Sequence, residues 1–144
     1  MKQLILALGL LIASVTGALA QGVTHYVAIH VNQNDPQVMN MALNNAQNIT
    51  TFYEAQGDSV VIEMVAYGPG LNMLLEGRSP VADRISMMSL QYENLSFAAC
   101  GNTMRKMTAK AGEELTLLED VALVPSGVVQ LISLQEQGYA YIRP

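Results

Sequence analysis

A three-layer α/β/α sandwich on a mainly parallel five-stranded sheet is the fold this sequence predicts, and three observations carry it. Strand-like and helix-like segments alternate from His25 to Ile142, with turn residues marking the boundaries. One strand candidate, Ser59 to Ala66, is a nearly continuous apolar run, the pattern of a strand covered on both faces. The connections are long enough to hold helices, and parallel neighbours need such crossovers because tight hairpins cannot join them.

The first strand is His25 to Val31. Asp35 then suits a helix N-cap with Pro36 at the first helical position, and Met39, Leu43, Ala46, Ile49 and Tyr53 recur at helical spacing up to Gly57. Ser59 to Ala66 is the second strand. Tyr67-Gly68-Pro69-Gly70 opens a short turn or helix through Leu75, and Ser79-Pro80 is expected to start a helix striped by Val81, Ile85, Met88 and Tyr92. The third strand is Leu95 to Ala99, followed by a turn at Cys100-Gly101-Asn102-Thr103 and a short helix ending near Gly112. Val121 to Val124 is the fourth strand. Pro125-Ser126-Gly127 opens the last helix, closed by Gly138, and Tyr139 to Ile142 is the fifth strand.

Ahead of this domain, Lys2, an apolar run from Leu4 to Val15 and Ala18-Leu19-Ala20 give the charge, apolar core and small-residue order of a secretory signal peptide. The run is shorter than the roughly 20 apolar residues that span a bilayer. Residues 1–20 are therefore expected to be removed, leaving residues 21–144 as one domain, periplasmic or secreted, with no membrane span. The whole chain carries a net charge of −5 with only 7 basic residues, of which Arg105, Lys106 and Lys110 are the one cluster. A phosphate-tracking nucleic-acid surface is not expected on that count.

Cysteine usage narrows the chemistry. The chain has 1 cysteine, so Cys100 cannot form an internal bridge. In open parallel sheets, ligands bind beyond the carboxyl ends of the strands. That rule selects the loops Asn32 to Asp35, Tyr67 to Asn72, Cys100 to Thr103 and Pro125 to Gly127. Cys100 also starts a helix, where free amides and the helix dipole favour a thiolate. Gly101 lacks a side chain that would block an approaching sulfur. Other features are weaker: His25 and His30 face opposite sides of a strand and cannot share a metal, although His30 is a candidate acid/base helper. Glu63 interrupts an apolar strand and needs a partner or an edge position. No nucleotide loop, zinc-type cysteine pair or hydrolase triad order is present, so no cofactor or metal is expected.

Four segments, Val65-Ala66-Tyr67-Gly68-Pro69-Gly70-Leu71, Phe97-Ala98-Ala99-Cys100-Gly101-Asn102-Thr103-Met104, Val124-Pro125-Ser126-Gly127-Val128-Val129 and Leu134-Gln135-Glu136-Gln137-Gly138-Tyr139, resemble the exported branch of the DsrE/DsrF-like family. The resemblance covers nearly all of residues 21–144. It implies a five-stranded α/β/α domain that assembles into homo- or hetero-oligomers. It also implies a persulfide-carrying cysteine at the end of the third strand, a position Cys100 matches. Relatives often carry a histidine where this chain has Tyr67.

The leading expectation is that Cys100 accepts a sulfane sulfur as a persulfide and hands it to a partner protein by thiol exchange. Gly101, Asn102, Thr103 and the helix amides would steady the anion, while Tyr67, Gly68, Asn72 and Ser126 would shape the pocket. Two alternatives compete with it: an oligomeric binding or scaffold module whose cysteine is packing, and a thiol redox sensor.

Overall fold

The computed structural model describes residues 22–144, so the signal-peptide expectation for residues 1–20 lies outside the described residues. The strands are β1 (Thr24–Val31), β2 (Ser59–Ala66), β3 (Leu95–Cys100), β4 (Val121–Val124) and β5 (Ala140–Ile142). They form one sheet in the order β4-β3-β2-β1-β5, and every pairing in it is parallel. Between them run α1 (Pro36–Glu54), a 3-10 helix (Gly68–Leu74), α2 (Ala82–Gln91), α3 (Gly101–Ala111) and α4 (Gly127–Glu136).

Local chemistry sets the boundaries. The Asp35 carboxylate accepts from the Gln37 amide at 2.8 Å, with Pro36 opening the helix, as the cap pattern predicts. α2 begins later than Ser79-Pro80 predicts. The Ser79 hydroxyl accepts from the Val81 amide, and Val81 sits at φ −128°, ψ 18°, so these residues form a turn ahead of the helix. β3 runs one residue further than expected, through Cys100.

The strand order explains the layering. From β1 to β4 the chain steps steadily toward one edge, and right-handed crossovers in one direction put their helices on one face. On that face Met39 and Leu43 of α1, Ile85 and Met88 of α2, and Leu71 and Leu74 of the 3-10 helix pack with Ile29, Ile62, Met64 and Phe97 of the sheet. The last crossover returns from β4 to pair with β1, and α4 therefore covers the opposite face. There Leu131 and Leu134 pack on Ala28, Val65 and Ala98. One helix cannot close this face, so Glu63 of the central strand β2 is only half-buried there, and Gln130 of α4 donates to its carboxylate at 2.7 Å. Val128, Val129 and Ile132 line the solvent side of α4. No described helix is long and apolar enough to cross a membrane.

This topology places a crevice. α3 leaves β3 toward the first face and α4 leaves β4 toward the second, so β3 and β4 are adjacent strands whose following helices diverge. Such a switch point is where open α/β sheets bind ligands. Cys100 is the residue at its rim.

Candidate functional site around Cys100

β3 passes into α3 with no intervening loop. Cys100 is the last strand residue and also the N-cap of α3, held in extended geometry at φ −72°, ψ 114°. The side chain alternates onto the α4 face with Ala98. Cys100 is in register with Val124, so the chain leaving β4 runs directly beside it before α4 starts at Gly127. The amides of Asn102 and Thr103 at the start of α3, and that of Gly127 at the start of α4, consequently lie beside the sulfur and favour its anion.

A fourth donor is set by a relay. The Gly68 amide donates to the Thr103 hydroxyl oxygen at 3.0 Å, which leaves the hydroxyl proton for the Cys100 sulfur. Burial is the largest single influence on this thiol and pushes its pKa up. The Thr103 hydroxyl and the amides of Gly127, Thr103 and Asn102 together outweigh it and hold the pKa below that of a free cysteine. Both helix dipoles act in the same direction. The side chain is 5% exposed, so the sulfur lies just beneath the rim among polar donors.

Tyr67 closes the other side. A side-chain carbon at Gly127 would lie 3.0 Å from Cβ of Tyr67 and 3.1 Å from Cβ of Cys100. Glycine is what lets the start of α4 come this close to both. The Tyr67 ring stacks on His30, with centroids 4.5 Å apart, and His30 Nδ1 lies 2.7 Å from the Tyr141 hydroxyl. Burial, with a smaller contribution from Arg143, lowers the pKa of His30 and keeps the imidazole neutral. His30 thus stacks on Tyr67 and hydrogen-bonds Tyr141 through Nδ1, while its Nε2 is buried with no hydrogen-bond partner among the described residues.

The remaining predicted residues divide. Asn102 contributes its amide, but its exposed side chain accepts from Arg105. Gly101 meets a packing constraint: a Cβ there would point at the carbonyl oxygens of Val124 and Pro125, 3.0 and 3.4 Å away. Ser126 is the N-cap of α4 but makes no side-chain cap bond. Gly68 and Asn72 line a separate cleft on the α3 side, and Thr103 belongs to both places. Gly127 lies in the loop Pro125 to Gly127 that the sequence selects, but is not itself one of the residues expected to act on the sulfur. The signal available in the sequence was Pro125-Ser126-Gly127 opening a helix after a strand, the same arrangement that singles out Cys100.

A search of curated proteins returns no match to this chain. Among solved structures, it is similar to a protein of unknown function, MTH1491 from Methanobacterium thermoautotrophicum. The two are 33% identical, with 83% of this chain and 99% of that chain covered and a TM-score of 0.71. A family model for the DsrE/DsrF-like family matches residues 26–144, the span that holds the whole sheet and the Cys100 site. With the parallel five-stranded sheet, the rim cysteine and that match in agreement, the chain belongs to the DsrE/DsrF-like family.

Proposed function

We propose that this protein is a sulfur carrier in which Cys100 forms a persulfide. The supporting observation is the place of Cys100, at the end of β3 where the starts of α3 and α4 meet, among polar groups that lower its pKa against burial. Membership of a family associated with sulfur transfer supports the same reading. The Cys100 thiolate attacks the outer sulfur of a donor persulfide, R–S–SH. A new S–S bond forms at Cys100, the donor's S–S bond breaks, and R–S⁻ leaves with the electron pair and takes up the outer proton. Reversal of the same exchange toward an acceptor thiol delivers the sulfur. With a signal-peptide pattern in residues 1–20, the proposed carrier works in an exported compartment, where a lone cysteine has no internal partner to oxidise with.

The experiment is intact-mass measurement after exposure to polysulfide, comparing the native protein with Cys100→Ser. Native protein is expected to gain sulfur atoms that a reductant removes, and the variant to gain none. The 5% exposure of Cys100 favours a second reading, a scaffold protein whose cysteine is packing. A native protein left unmodified by every donor decides for that second reading.

A further inference from the structure

Glu63 is the one carboxylate in the five strands, which hold no lysine or arginine, and it stands in the central strand β2. A half-buried carboxylate costs free energy unless its charge is compensated. Compensation here is partial. Gln130 of α4 donates to one oxygen at 2.7 Å, the other oxygen accepts no hydrogen bond, and Glu63 forms no ion pair among the described residues. α4 carries no basic residue, and the charge of Arg143, which follows β5, acts on His30 at the carboxyl end of the sheet.

The surroundings of Glu63 are aromatic. Tyr26 lies two residues before Ala28, the register partner of Glu63, so its ring shares this face and stands diagonally beside the carboxylate. The Tyr139 ring meets that of Tyr26, with centroids 5.2 Å apart. Burial, and after it the charge of Glu63, raises the pKa of the Tyr139 phenol, so the field of the carboxylate reaches these rings. The cluster is open to solvent, since Tyr26 is 42% exposed. Val128, Val129 and Ile132 of α4 and Tyr141 of β5 are exposed on the same side of the sheet. A surface rich in tyrosine and aliphatic groups and poor in charge has the composition of a protein-binding face. Its one uncompensated charge specifies what the partner must bring.

We infer that the sheet face beside α4 docks a partner protein through an arginine that inserts between Glu63 and the rings of Tyr26 and Tyr139. Arginine suits both halves of this site: its planar guanidinium meets a carboxylate through two parallel N–H groups and stacks on an aromatic face. Lysine, a point charge on a flexible stem, has neither geometry. The exposed apolar side chains of α4 exclude water around the pair, the setting in which an interfacial arginine contributes most. This docking goes beyond the carrier reading and involves no chemistry at Cys100.

The probe is a helical peptide with one arginine amid leucines, compared with the same peptide carrying citrulline, which keeps the shape and removes the charge. Binding is followed by NMR on the Tyr26 and Tyr139 rings and the Gln130 side-chain amide. The Cys100→Ser protein is used throughout, so the result stands or falls apart from the carrier reading. The arginine peptide is expected to bind saturably and about tenfold or more tightly than the citrulline peptide, and Glu63→Gln to abolish that preference. Because the carboxylate is uncompensated in the free protein, Glu63→Gln should melt at or above the temperature of its parent. A lower melting temperature would make Glu63 a structural residue and overturn the inference, as would equal affinity for the two peptides or no saturable binding. Light scattering without peptide tests the other occupant. Self-association that Glu63→Gln abolishes would mean that a second copy covers this face, and would overturn the assignment to a foreign partner.

Discussion

Gly70→Ala is expected to lower the melting temperature by about 10 °C, from a cost of about 3 kcal/mol and roughly 3–4 °C per kcal/mol for a domain of this size. A Cβ at this position would lie 2.4 Å from the Val31 carbonyl oxygen, 2.7 Å from its carbon and 2.8 Å from Cα of Asn32. All three are backbone atoms at the end of β1, so no rotamer change relieves the contact. The 3-10 helix must move away from the sheet, and it carries the fully buried Leu71, Met73 and Leu74 into that movement. It also carries Gly68, whose amide orients the Thr103 hydroxyl, so the variant should lose thiol reactivity along with stability. Thermal unfolding followed by circular dichroism measures the first effect. A drop below about 3 °C, less than a kcal/mol for such a domain, would contradict this account of the loop.

Thr103→Val should slow alkylation of Cys100 at neutral pH by about tenfold or more. Hydrogen bonds to charged groups contribute about 1.5–3 kcal/mol, and about 1.4 kcal/mol is a factor of ten in an equilibrium. Valine keeps the volume and removes the one side-chain donor to the sulfur, so the burial that pushes the pKa up meets less opposition. Thr103→Ser retains the hydroxyl and should restore most of the rate. That rescue separates a role in charge stabilisation from a role in packing. Equal rates in native and valine proteins, measured with iodoacetamide at fixed pH, would show that the hydroxyl does not act on the thiolate.

Much of the fold is legible in the sequence because its signals are local. The Asp35-Pro36 cap, the apolar run Ser59 to Ala66 and the helical stripe of Met39, Leu43 and Ala46 each specify an element without reference to the rest of the chain. The same holds for the place of Cys100, which follows from a strand end meeting a helix start. What the sequence does not display is adjacency. Gly127 reaches Cys100 because β4 pairs beside β3 and α4 then crosses to the other face, a property of the strand order. Thr103 meets Gly68 across 35 positions, and Arg78 joins Lys106 and Lys110 only once the 3-10 helix has docked. In the sequence, Arg105, Lys106 and Lys110 read as the one basic cluster of an acidic chain. In the fold Lys106 and Lys110 turn toward a cleft, while Arg105 turns to Asn102. Gly101 carries a constraint of the same kind, since its missing side chain makes room for the backbone at the end of β4.

The claim on which the rest depends is that two helix starts lower the pKa of Cys100 below that of a free cysteine despite its burial. The direct measurement is the rate of Cys100 alkylation as a function of pH in the native protein, read by mass. Reactivity should rise to a plateau with a midpoint clearly below the ~8.5 of a free cysteine. A midpoint at or above that value would mean that burial prevails over the four donors, and Cys100 would then be a packing residue.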